Sequence, residues 1–200
     1  MPKKKKNKRY VFIDVYNTIN TAEQLCGFSI DWKKLYNHLI QKWQCDEVYF
    51  YDGVEMGDTN KMKEYNDLKS IGYIMRTKTT MIYKNSDRKV SVECDKCGHR
   101  INKNMSMGYC RKSNCDVELT LDVAKKKKKN NEFLLMTGDG DFEYLINYLI
   151  DKDADITLIS NTTRNRFGEK RCSSKLKMLF KQDKIRFIDI KTWKKIISID

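Results

Sequence analysis

Long apolar segments are absent from this 200-residue chain. No apolar run approaches the roughly 20 residues that a membrane-spanning helix needs, and the opening segment "MPKKKKNKRY" lacks the apolar centre of a signal peptide. We therefore expect a soluble intracellular protein, cytoplasmic or nuclear and not secreted. Internal repeats and long linkers of glycine, serine or proline are also missing. The length suits one domain, with room for a small insertion. The single proline indicates a base-composition bias and not a function.

Positive charge is unevenly placed along the chain. The net charge is +13, with basic runs at residues 3–9 and 125–129 and a basic excess over residues 161–200, whereas residues 132–160 are acidic. This layout suits a polyanion held beside a site that binds cations. We expect residues 1–9 to form a basic N-terminal arm that serves as an RNA-binding segment or as a nuclear localisation signal. For the lysines at 125–129, a solvated helix end is the alternative.

Strand-like and helix-like segments alternate from residue 10 to residue 200. Short apolar runs typical of buried strands are "YVFID" (10–14), "EVYFYDG" (47–53), "EFLLM" (132–136), "ADITLIS" (154–160) and "KIRFIDI" (184–190). Amphipathic or capped segments predict helices near 31–43, 58–72, 115–129, 142–150 and 172–182. The alternation predicts an α/β domain over 10–200, with helices on both faces of a parallel sheet. Residues 73–83 form a third strand or a hairpin arm, and residues 84–115 have the composition of an insertion.

Four aspartates stand at the ends of these predicted elements. Asp14 closes the first strand, Asp116 opens a helix, and Asp139 and Asp141 lie in the turn "TGDGD" after the strand at 132–136. Loops that follow the central strands of such a sheet meet at one edge. Carboxylates gathered there need a hard divalent cation to offset their repulsion. We therefore predict a Mg²⁺ or Mn²⁺ site, which would activate a water and stabilise charge on a substrate phosphate.

Local structural roles are the alternative for three of these acids. Asp116 and Asp141 could each cap a helix N-terminus, and Asp139 could sit in a glycine turn. Asp14 is followed by neither glycine nor proline, so the sequence suggests no local role for it.

Four segments stand in a fixed order along the chain: "FIDVYNT" (12–18), "CDVELTLDV" (115–123), "LLMTGDGDFEYLI" (134–146) and "SSKLKMLFKQDKIRFIDI" (173–190). Together they resemble the motifs of NYN domains, the PIN-like nucleases that include the LabA-like group. The resemblance implies a PIN-like sheet and a metal-dependent ribonuclease that cleaves phosphodiester bonds of single-stranded or unstructured RNA. Carried over to this sequence, it implies metal binding by Asp14, Asp116, Asp139 and Asp141.

The resemblance also concerns the neighbours of these acids. Asn17 would orient the carboxylate of the first strand or contact the substrate. Asp122 matches the second acid of the helix motif, but it lies six residues after Asp116 and on a different face of the helix. Val15 and Cys115 depart from the family pattern, which usually has a small residue and a glycine at these places.

Four of the seven cysteines follow the pattern C-x2-C-x12-C-x4-C. Two cysteine pairs at this separation are typical of a structural zinc ribbon or knuckle. The predicted zinc ligands are Cys94, Cys97, Cys110 and Cys115. With four thiolates available, His99 is a bystander. Because Cys115 directly precedes Asp116, the zinc ion would fix the start of the helix that carries this acid.

Basic side chains inside the insertion are candidates for contacts with RNA phosphates. They are Lys96, Arg100, Lys103, Arg111 and Lys112. The alternative is a purely structural zinc clip with a solvated basic surface. Disulfides are not expected in a reducing compartment, so we interpret Cys26, Cys45 and Cys172 as core or surface thiols.

Two other functions fit parts of the sequence. The segments "VFIDVYNT" and "TGDGD" resemble motifs of haloacid-dehalogenase phosphatases, but that mechanism needs a second acid two residues after Asp14, where this chain has Tyr16. The second alternative is a non-catalytic RNA-binding module of the same fold. The four carboxylates argue against it, since a module without catalysis does not need them. A homodimer is left open as a further arrangement.

Overall fold

The computed structural model describes residues 7–168 and 170–199, and only the backbone of residues 110–112. Residues 1–6 of the expected basic arm lie outside the described residues. The residues so described contain ten strands: β1 (Arg9–Asp14), β2 (Glu47–Val54), β3 (Ile74–Thr79), β4 (Met81–Lys84), β5 (Arg88–Glu93), β6 (Arg100–Met105), β7 (Tyr109–Lys112), β8 (Glu132–Met136), β9 (Asp155–Ser160) and β10 (Arg186–Asp189).

Seven α-helices lie between or after these strands in the described part of the chain: α1 (Val15–Cys26), α2 (Trp32–Asn37), α3 (Thr59–Ile71), α4 (Asp116–Lys126), α5 (Glu143–Ile150), α6 (Ser174–Lys181) and α7 (Lys194–Ile197). A π-helical turn at His38–Lys42 extends α2, and 3₁₀ turns at Gly140–Phe142 and Ile190–Trp193 precede α5 and α7. None of the described helices combines the length and apolar character required to cross a membrane.

Six strands form one parallel sheet in the order β3-β2-β1-β8-β9-β10. From β1 the chain builds outwards to β3 on one side, and from β8 it builds outwards to β10 on the other. The strand order therefore reverses between β1 and β8. In open sheets of this kind, ligands bind in the crevice above the C-terminal strand ends at such a reversal.

Two apolar layers enclose the sheet. Successive side chains of a strand point to opposite faces, so Val11 and Ile13 pack with α1, α2, α3 and α7, whereas Tyr10 and Phe12 pack with α4, α5 and α6. Both layers are continuous across the central strands, which explains why these strands read as unbroken apolar runs. The prediction of a parallel sheet with helices on both faces is confirmed.

The helix α1 follows β1 directly and was not predicted from the sequence. Its segment "VYNTINTAEQLC" contains several β-branched residues and asparagines, which have low helix propensity. The helix is held at its ends instead: Asp14 is the N-cap and accepts a hydrogen bond from the Asn17 amide, and Gly27, with φ of 65°, is the C-cap. Asp14 thus has a local structural role that the sequence did not reveal.

An antiparallel arm over residues 81–112 projects from the sheet. In it β4 pairs with β7, and β5 pairs with β6. The chain enters the arm immediately after β3 and leaves it just before α4. The segment at 73–83 therefore supplies both a strand of the sheet and the first strand of the arm. Almost all described side chains of β4, β5 and β6 are exposed.

Candidate metal centre

Three carboxylates meet at the C-terminal edge of the sheet. One oxygen each of Asp116, Asp139 and Asp141 lies within 4.8 Å of the other two. Asp116 is the first residue of α4, and the other two follow β8 in the turn that leads to α5. Burial raises the pKa of Asp116, and the charges of Asp139 and Asp141 raise it further, although a hydrogen bond from Asn114 opposes them. Three oxygen donors that repel one another at this spacing fit a hard cation such as Mg²⁺ or Mn²⁺.

Asp14 lines the same cleft but does not belong to this group of three. Thr137 donates its hydroxyl to Asp14 Oδ2 at 2.9 Å, and the Asn17 amide donates to Oδ1 at 3.2 Å. Burial nevertheless raises the pKa of Asp14 to about 6, and the charges of Asp116 and Asp139 add to the increase. A carboxyl group with such a pKa can accept and release a proton near neutral pH.

Asn17 connects the end of β1 to the turn after β8. Its side-chain Oδ1 accepts a hydrogen bond from the backbone amide of Gly138 at 2.8 Å, while its own backbone amide donates to Asp14. In the same turn, the amide of Asp141 donates to Asp139 Oδ1 at 3.0 Å. Asp139, and not Asp141, is therefore the residue that caps the following 3₁₀ turn. Of the two roles implied for Asn17, the geometry favours orientation of the site.

The turn after β8 is packed against a loop over residues 161–173. A Cβ atom on Gly138 would stand 2.0 Å from the carbonyl oxygen of Arg171, and the Ser173 amide donates to the Gly138 carbonyl at 2.9 Å. A side chain at position 138 would therefore push this loop away from the cleft. The glycine is needed because two segments of backbone approach each other closely.

The cleft between these elements has a volume of about 280 Å³. Several of its lining residues were missed in the sequence: Tyr16, Tyr51, Asp52, Ser113, Asn114 and Arg171. Asp52 had a usable signal, since it follows an apolar run as Asp14 does, although β2 continues to Val54. Its charge is balanced, because it forms an ion pair with Lys61 at 3.0 Å and accepts a hydrogen bond from the Tyr65 hydroxyl. Arg171 lies in an irregular loop and gave no comparable signal.

Asp122 lies on α4 and is held by side chains of the neighbouring strands. Its Oδ2 accepts hydrogen bonds from Arg76 Nε at 2.8 Å and from the Tyr51 hydroxyl at 3.1 Å. Although burial raises its pKa, Arg76 and Tyr51 together hold the pKa of Asp122 below its ordinary value. Its contacts assign it to a structural ion pair between α4 and β3.

The described cysteines of the expected zinc site are not brought together. Cys94 and Cys97 are exposed at the tip of the arm, where the Gly98 amide donates to the Cys94 carbonyl at 2.8 Å. Cys115 is buried at the other end of the arm, with its thiol 3.6 Å from the Asp52 carbonyl oxygen. The side chain of Cys110 lies outside the described residues. The length of β5 and β6 separates the tip from Cys115, so this geometry does not support Cys115 as a ligand shared with Cys94 and Cys97.

The described RNA-binding candidates of the insertion lie along the arm and not around the cleft. Lys96, Arg100 and Lys103 are exposed there, and Arg100 Nε bonds Glu93 Oε2 at 2.7 Å. The side chains of Arg111 and Lys112 lie outside the described residues. Of the core and surface positions considered for the other thiols, the structure shows the core: Cys26, Cys45 and Cys172 are all buried.

The lysines at 125–129 also lie away from the acids. The first two end α4 and the other three follow it, at the edge of the sheet where the strands begin. Four of the five share a groove with Lys8 and Asn131: Lys125, Lys126, Lys128 and Lys129. Three of them form ion pairs: Lys125 with Asp122 at 3.5 Å, Lys126 with Glu47 at 2.7 Å and Lys129 with Asp153 at 3.4 Å. The sequence suggested basic flanks directly beside the acidic centre, but α4 separates this run from it.

Comparisons with known proteins agree with this fold. A crystal structure of a protein of unknown function from Vibrio parahaemolyticus superposes with a TM-score of 0.61 and 18% identity, covering 95% of this chain and 96% of that one. The low amplitude and bright protein LabA of Synechococcus elongatus is 28% identical over 153 residues, covering 75% of this chain and 72% of that protein. The model of the NYN domain family matches residues 8–177, a range that contains Asp14, Asp116, Asp139 and Asp141. The chain belongs to the NYN domain family.

Proposed function

We propose that this chain is a divalent-metal-dependent ribonuclease that hydrolyses phosphodiester bonds of single-stranded or unstructured RNA. NYN domains are generally ribonuclease-like and generally use divalent metals. The observation that carries the proposal is the convergence of Asp116, Asp139 and Asp141 within 4.8 Å, beside Asp14 and at the reversal of the strand order.

The three converging carboxylates would hold Mg²⁺ or Mn²⁺. When bound, such an ion supplies an activated water and stabilises charge that develops on the phosphate. The pKa of Asp116 is raised mainly by burial and further by the charges of Asp139 and Asp141. This second contribution supports the assignment, since a cation would relieve the repulsion between the carboxylates. Asn114 and Asn17 keep the donors in place, through Asp116 on one side and through the turn after β8 on the other.

Asp14 is suited to handle a proton in this reaction. The family resemblance implies that Asp14 binds the metal directly. Its position outside the group of three favours proton transfer instead. The hydroxyl of Thr137 and the amide of Asn17 fix the orientation of its carboxylate. With a pKa of about 6, Asp14 can take the proton that the attacking water loses and return it to solvent.

The proposal is tested with a fluorescent RNA of 20 unstructured nucleotides, incubated with Mn²⁺ or Mg²⁺ and, in parallel, with EDTA. Replacing Asp139→Asn or Asp116→Asn should reduce the cleavage rate at least a hundredfold, because each removes a charged donor. Mn²⁺ should also raise the melting temperature of the wild type but not of these variants. The exposed Asp67 on α3 provides the control Asp67→Asn. Wild-type cleavage by both site variants would contradict the proposal.

The same experiment separates the alternatives. RNA binding with no metal-dependent cleavage would indicate a non-catalytic module of the same fold. Hydrolysis of p-nitrophenyl phosphate without RNA cleavage would indicate a phosphatase. Against the second outcome, Tyr16 occupies the position where that mechanism needs an acid.

Structural zinc is part of the proposal at Cys94 and Cys97. They form the turn "CDKCG" at the tip of the arm, where Gly98 has a φ of 68°. The backbone amides of Lys96 and Cys97 lower the pKa of the Cys94 thiol, which favours the thiolate form that zinc requires. Cys110 is the third candidate ligand on the same arm. Cys115, with its buried thiol, is assigned to packing.

A further inference from the structure

Tyr16 is a large aromatic residue at the mouth of the acidic cleft. It lies two residues after Asp14, in the first turn of α1, and lines the cleft while remaining 71% exposed. Its neighbours Val15 and Thr18 are buried and anchor the helix on the sheet. The helix is therefore held without help from the tyrosine ring, which leaves the ring free to contact a ligand.

A row of hydrogen bonds along α1 leads from Tyr16 to a cation. The Asn20 side-chain amide donates to the Tyr16 carbonyl at 2.6 Å, and that of Gln24 donates to Asn20 Oδ1 at 2.7 Å. The guanidinium of Arg171 donates to Gln24 Oε1. Residues 16, 20 and 24 lie one above the other on a helix. The exposed stripe of α1 thus holds Arg171, which also lines the cleft, on the same side as Tyr16.

We propose that Tyr16 and Arg171 form a nucleotide subsite beside the acids, in which an unpaired base stacks on Tyr16 and its phosphate pairs with Arg171. This inference rests on the proposed function, since it concerns the RNA that the cleft would cleave. Aromatic rings stack on bases of any identity, provided that the bases are outside a duplex. The planar guanidinium matches two phosphate oxygens at once.

The subsite gives the cleft a preference for single strands. Bases in an RNA duplex are stacked on one another, so none of them can lie flat on Tyr16 without unpairing. Two other exposed aromatic residues, Tyr144 and Phe167, lie on segments that follow β8 and β9 but do not line the cleft. Tyr144 therefore serves as a matched control.

Binding is measured by fluorescence anisotropy in EDTA, so that no cleavage occurs, with a 12-nucleotide unstructured RNA and a duplex of the same sequence. Tyr16→Ala should weaken binding of the single strand about tenfold and leave duplex binding unchanged. Tyr16→Phe, which keeps the ring, and Tyr144→Ala should both bind as the wild type does. Arg171→Gln should lower affinity and reduce the salt dependence by about one phosphate contact.

Abasic nucleotides locate the contact. An abasic nucleotide is placed at successive positions in the RNA, and at one position it should weaken binding to the wild type. At that same position it should not weaken binding to Tyr16→Ala, because this variant lacks the ring on which the base stacks. The subsite is rejected if Tyr16→Ala binds the single strand as tightly as the wild type. It is also rejected if Tyr16→Ala and Tyr144→Ala lose the same affinity for the single strand. The same holds if Tyr16→Ala loses as much affinity for the duplex as for the single strand.

These outcomes are independent of catalysis. If the wild type fails to cleave RNA with Mn²⁺ while Tyr16→Ala selectively loses single-strand affinity, the nuclease proposal fails and the subsite stands. If the wild type cleaves RNA and Tyr16→Ala leaves both the affinity and the KM unchanged, the subsite fails and the nuclease proposal stands.

Discussion

Asp14 carries two roles that place opposite demands on its charge. As the N-cap of α1 it accepts hydrogen bonds from Asn17 and Thr137, which favour the ionised carboxylate. Burial in the cleft favours the protonated form and is the larger influence, so the pKa rises to about 6. At neutral pH the folded protein therefore keeps an ionised carboxylate that water would solvate better. At the scale of single residues, the site exists at a cost to stability.

The replacement Asp14→Asn should therefore stabilise the fold at neutral pH. Between the ordinary pKa of 3.8 and the folded value of about 6, the folded state holds a proton that the unfolded chain has released. Wild-type stability consequently falls as the pH rises through this window and stays low above it. Asparagine remains a good N-cap, so the variant should be more stable at pH 7.5, by about 2–3 kcal/mol at most.

Urea unfolding from pH 4 to pH 8, in EDTA, measures this difference. The gap between the two proteins should be small at pH 4 and reach its full size above pH 6. Asp67→Asn, at an exposed position on α3, should show no such dependence. A gap of equal size at every pH, or a less stable Asp14→Asn protein at pH 7.5, would show that burial of this charge is not what limits stability.

At the scale of elements, the turn after β8 depends on the loop at 161–173. The carbonyl of Arg171 rests where a side chain of Gly138 would stand, and the Ser173 amide bonds the Gly138 carbonyl. Through this contact the loop that brings Arg171 to the cleft also supports the turn that brings Asp139 and Asp141. Two functional groups are thus positioned by one backbone contact.

Gly138→Ala should break this contact. The added methyl group would meet a carbonyl oxygen at 2.0 Å, which forces the backbone apart and should lower the free energy of unfolding by about 1–3 kcal/mol. The same displacement should reduce RNA cleavage, because it separates Arg171 from the acids. Gly140→Ala, whose methyl group would lie 3.0 Å from the Ser173 side chain, should have a smaller effect on both quantities. Equal effects of the two substitutions would argue against a special role for the Gly138 contact.

The cysteines give a second prediction at this scale. Cys94→Ser and Cys97→Ser should each lower the zinc content of the purified protein, because both thiols are exposed in one turn. Cys115→Ser should keep the zinc and lose some stability, since its thiol packs against the carbonyls of Asp52 and Arg76. Metal analysis and thermal unfolding of the three variants provide the measurements. Loss of zinc from Cys115→Ser would restore the four-cysteine site expected from the spacing.

Sequence patterns predicted the elements that obey simple periodicity and missed those fixed by their ends. The strands β1, β2 and β8 were predictable because both faces of each are buried, which leaves unbroken apolar runs. The helix α1 has no such signal: it exists because Asp14 caps it and because Val15 and Ala22 reach the core. The convergence of Asp116, Asp139 and Asp141 could be anticipated from their positions near the ends of elements, but the sequence did not show that Asp14 lies outside this group of three.

The rest of the cleft could not be predicted, because it depends on distant contacts. Tyr16 lies near an acid in the sequence, but only the fold shows that it lines the cleft. Arg171 reaches the same cleft through an irregular loop, and no local pattern records that approach. For Cys115, spacing suggested a metal ligand, whereas burial against the sheet is a property of the whole fold.

At the scale of the whole molecule, acids and lysines occupy opposite edges of the sheet. The helix α4 begins with Asp116 in the cleft and ends at Lys126 beside the first residues of β1 and β2. Its 11 residues give a separation of about 16 Å, and the six residues of β1 correspond to about 20 Å. An RNA strand must therefore run along the molecule to touch both edges.

Removal of residues 2–6 should accordingly weaken the binding of long RNAs more than the binding of short ones. The deletion takes away four lysines and keeps Arg9, which belongs to β1 and pairs with Glu132 at 2.6 Å. For a 20-nucleotide strand, we expect lower affinity and a salt slope reduced by about 2–3. A tetranucleotide spans about 14 Å when its nucleotides are stacked at about 3.4 Å each, so it should lose less affinity than the 20-nucleotide strand.

Salt titrations of both RNAs check this, with a full-length control in which residues 3–6 are glutamine. If the tetranucleotide loses as much affinity as the long strand, the basic N-terminal arm reaches the cleft itself. If neither RNA is affected, the N-terminal lysines do not contact RNA and serve as a targeting signal only.

The arm at 81–112 begins and ends at one place on the sheet, because β4 and β7 pair with Met81 opposite Lys112. The entropy lost in closing a loop grows only with the logarithm of its length, so the fold is nearly insensitive to how far the chain travels before it returns. This part of the sequence is therefore free to lengthen or shorten over evolutionary time while the four aspartates stay in position. For the same reason, it is the natural point at which to insert a reporter domain into an otherwise intact protein.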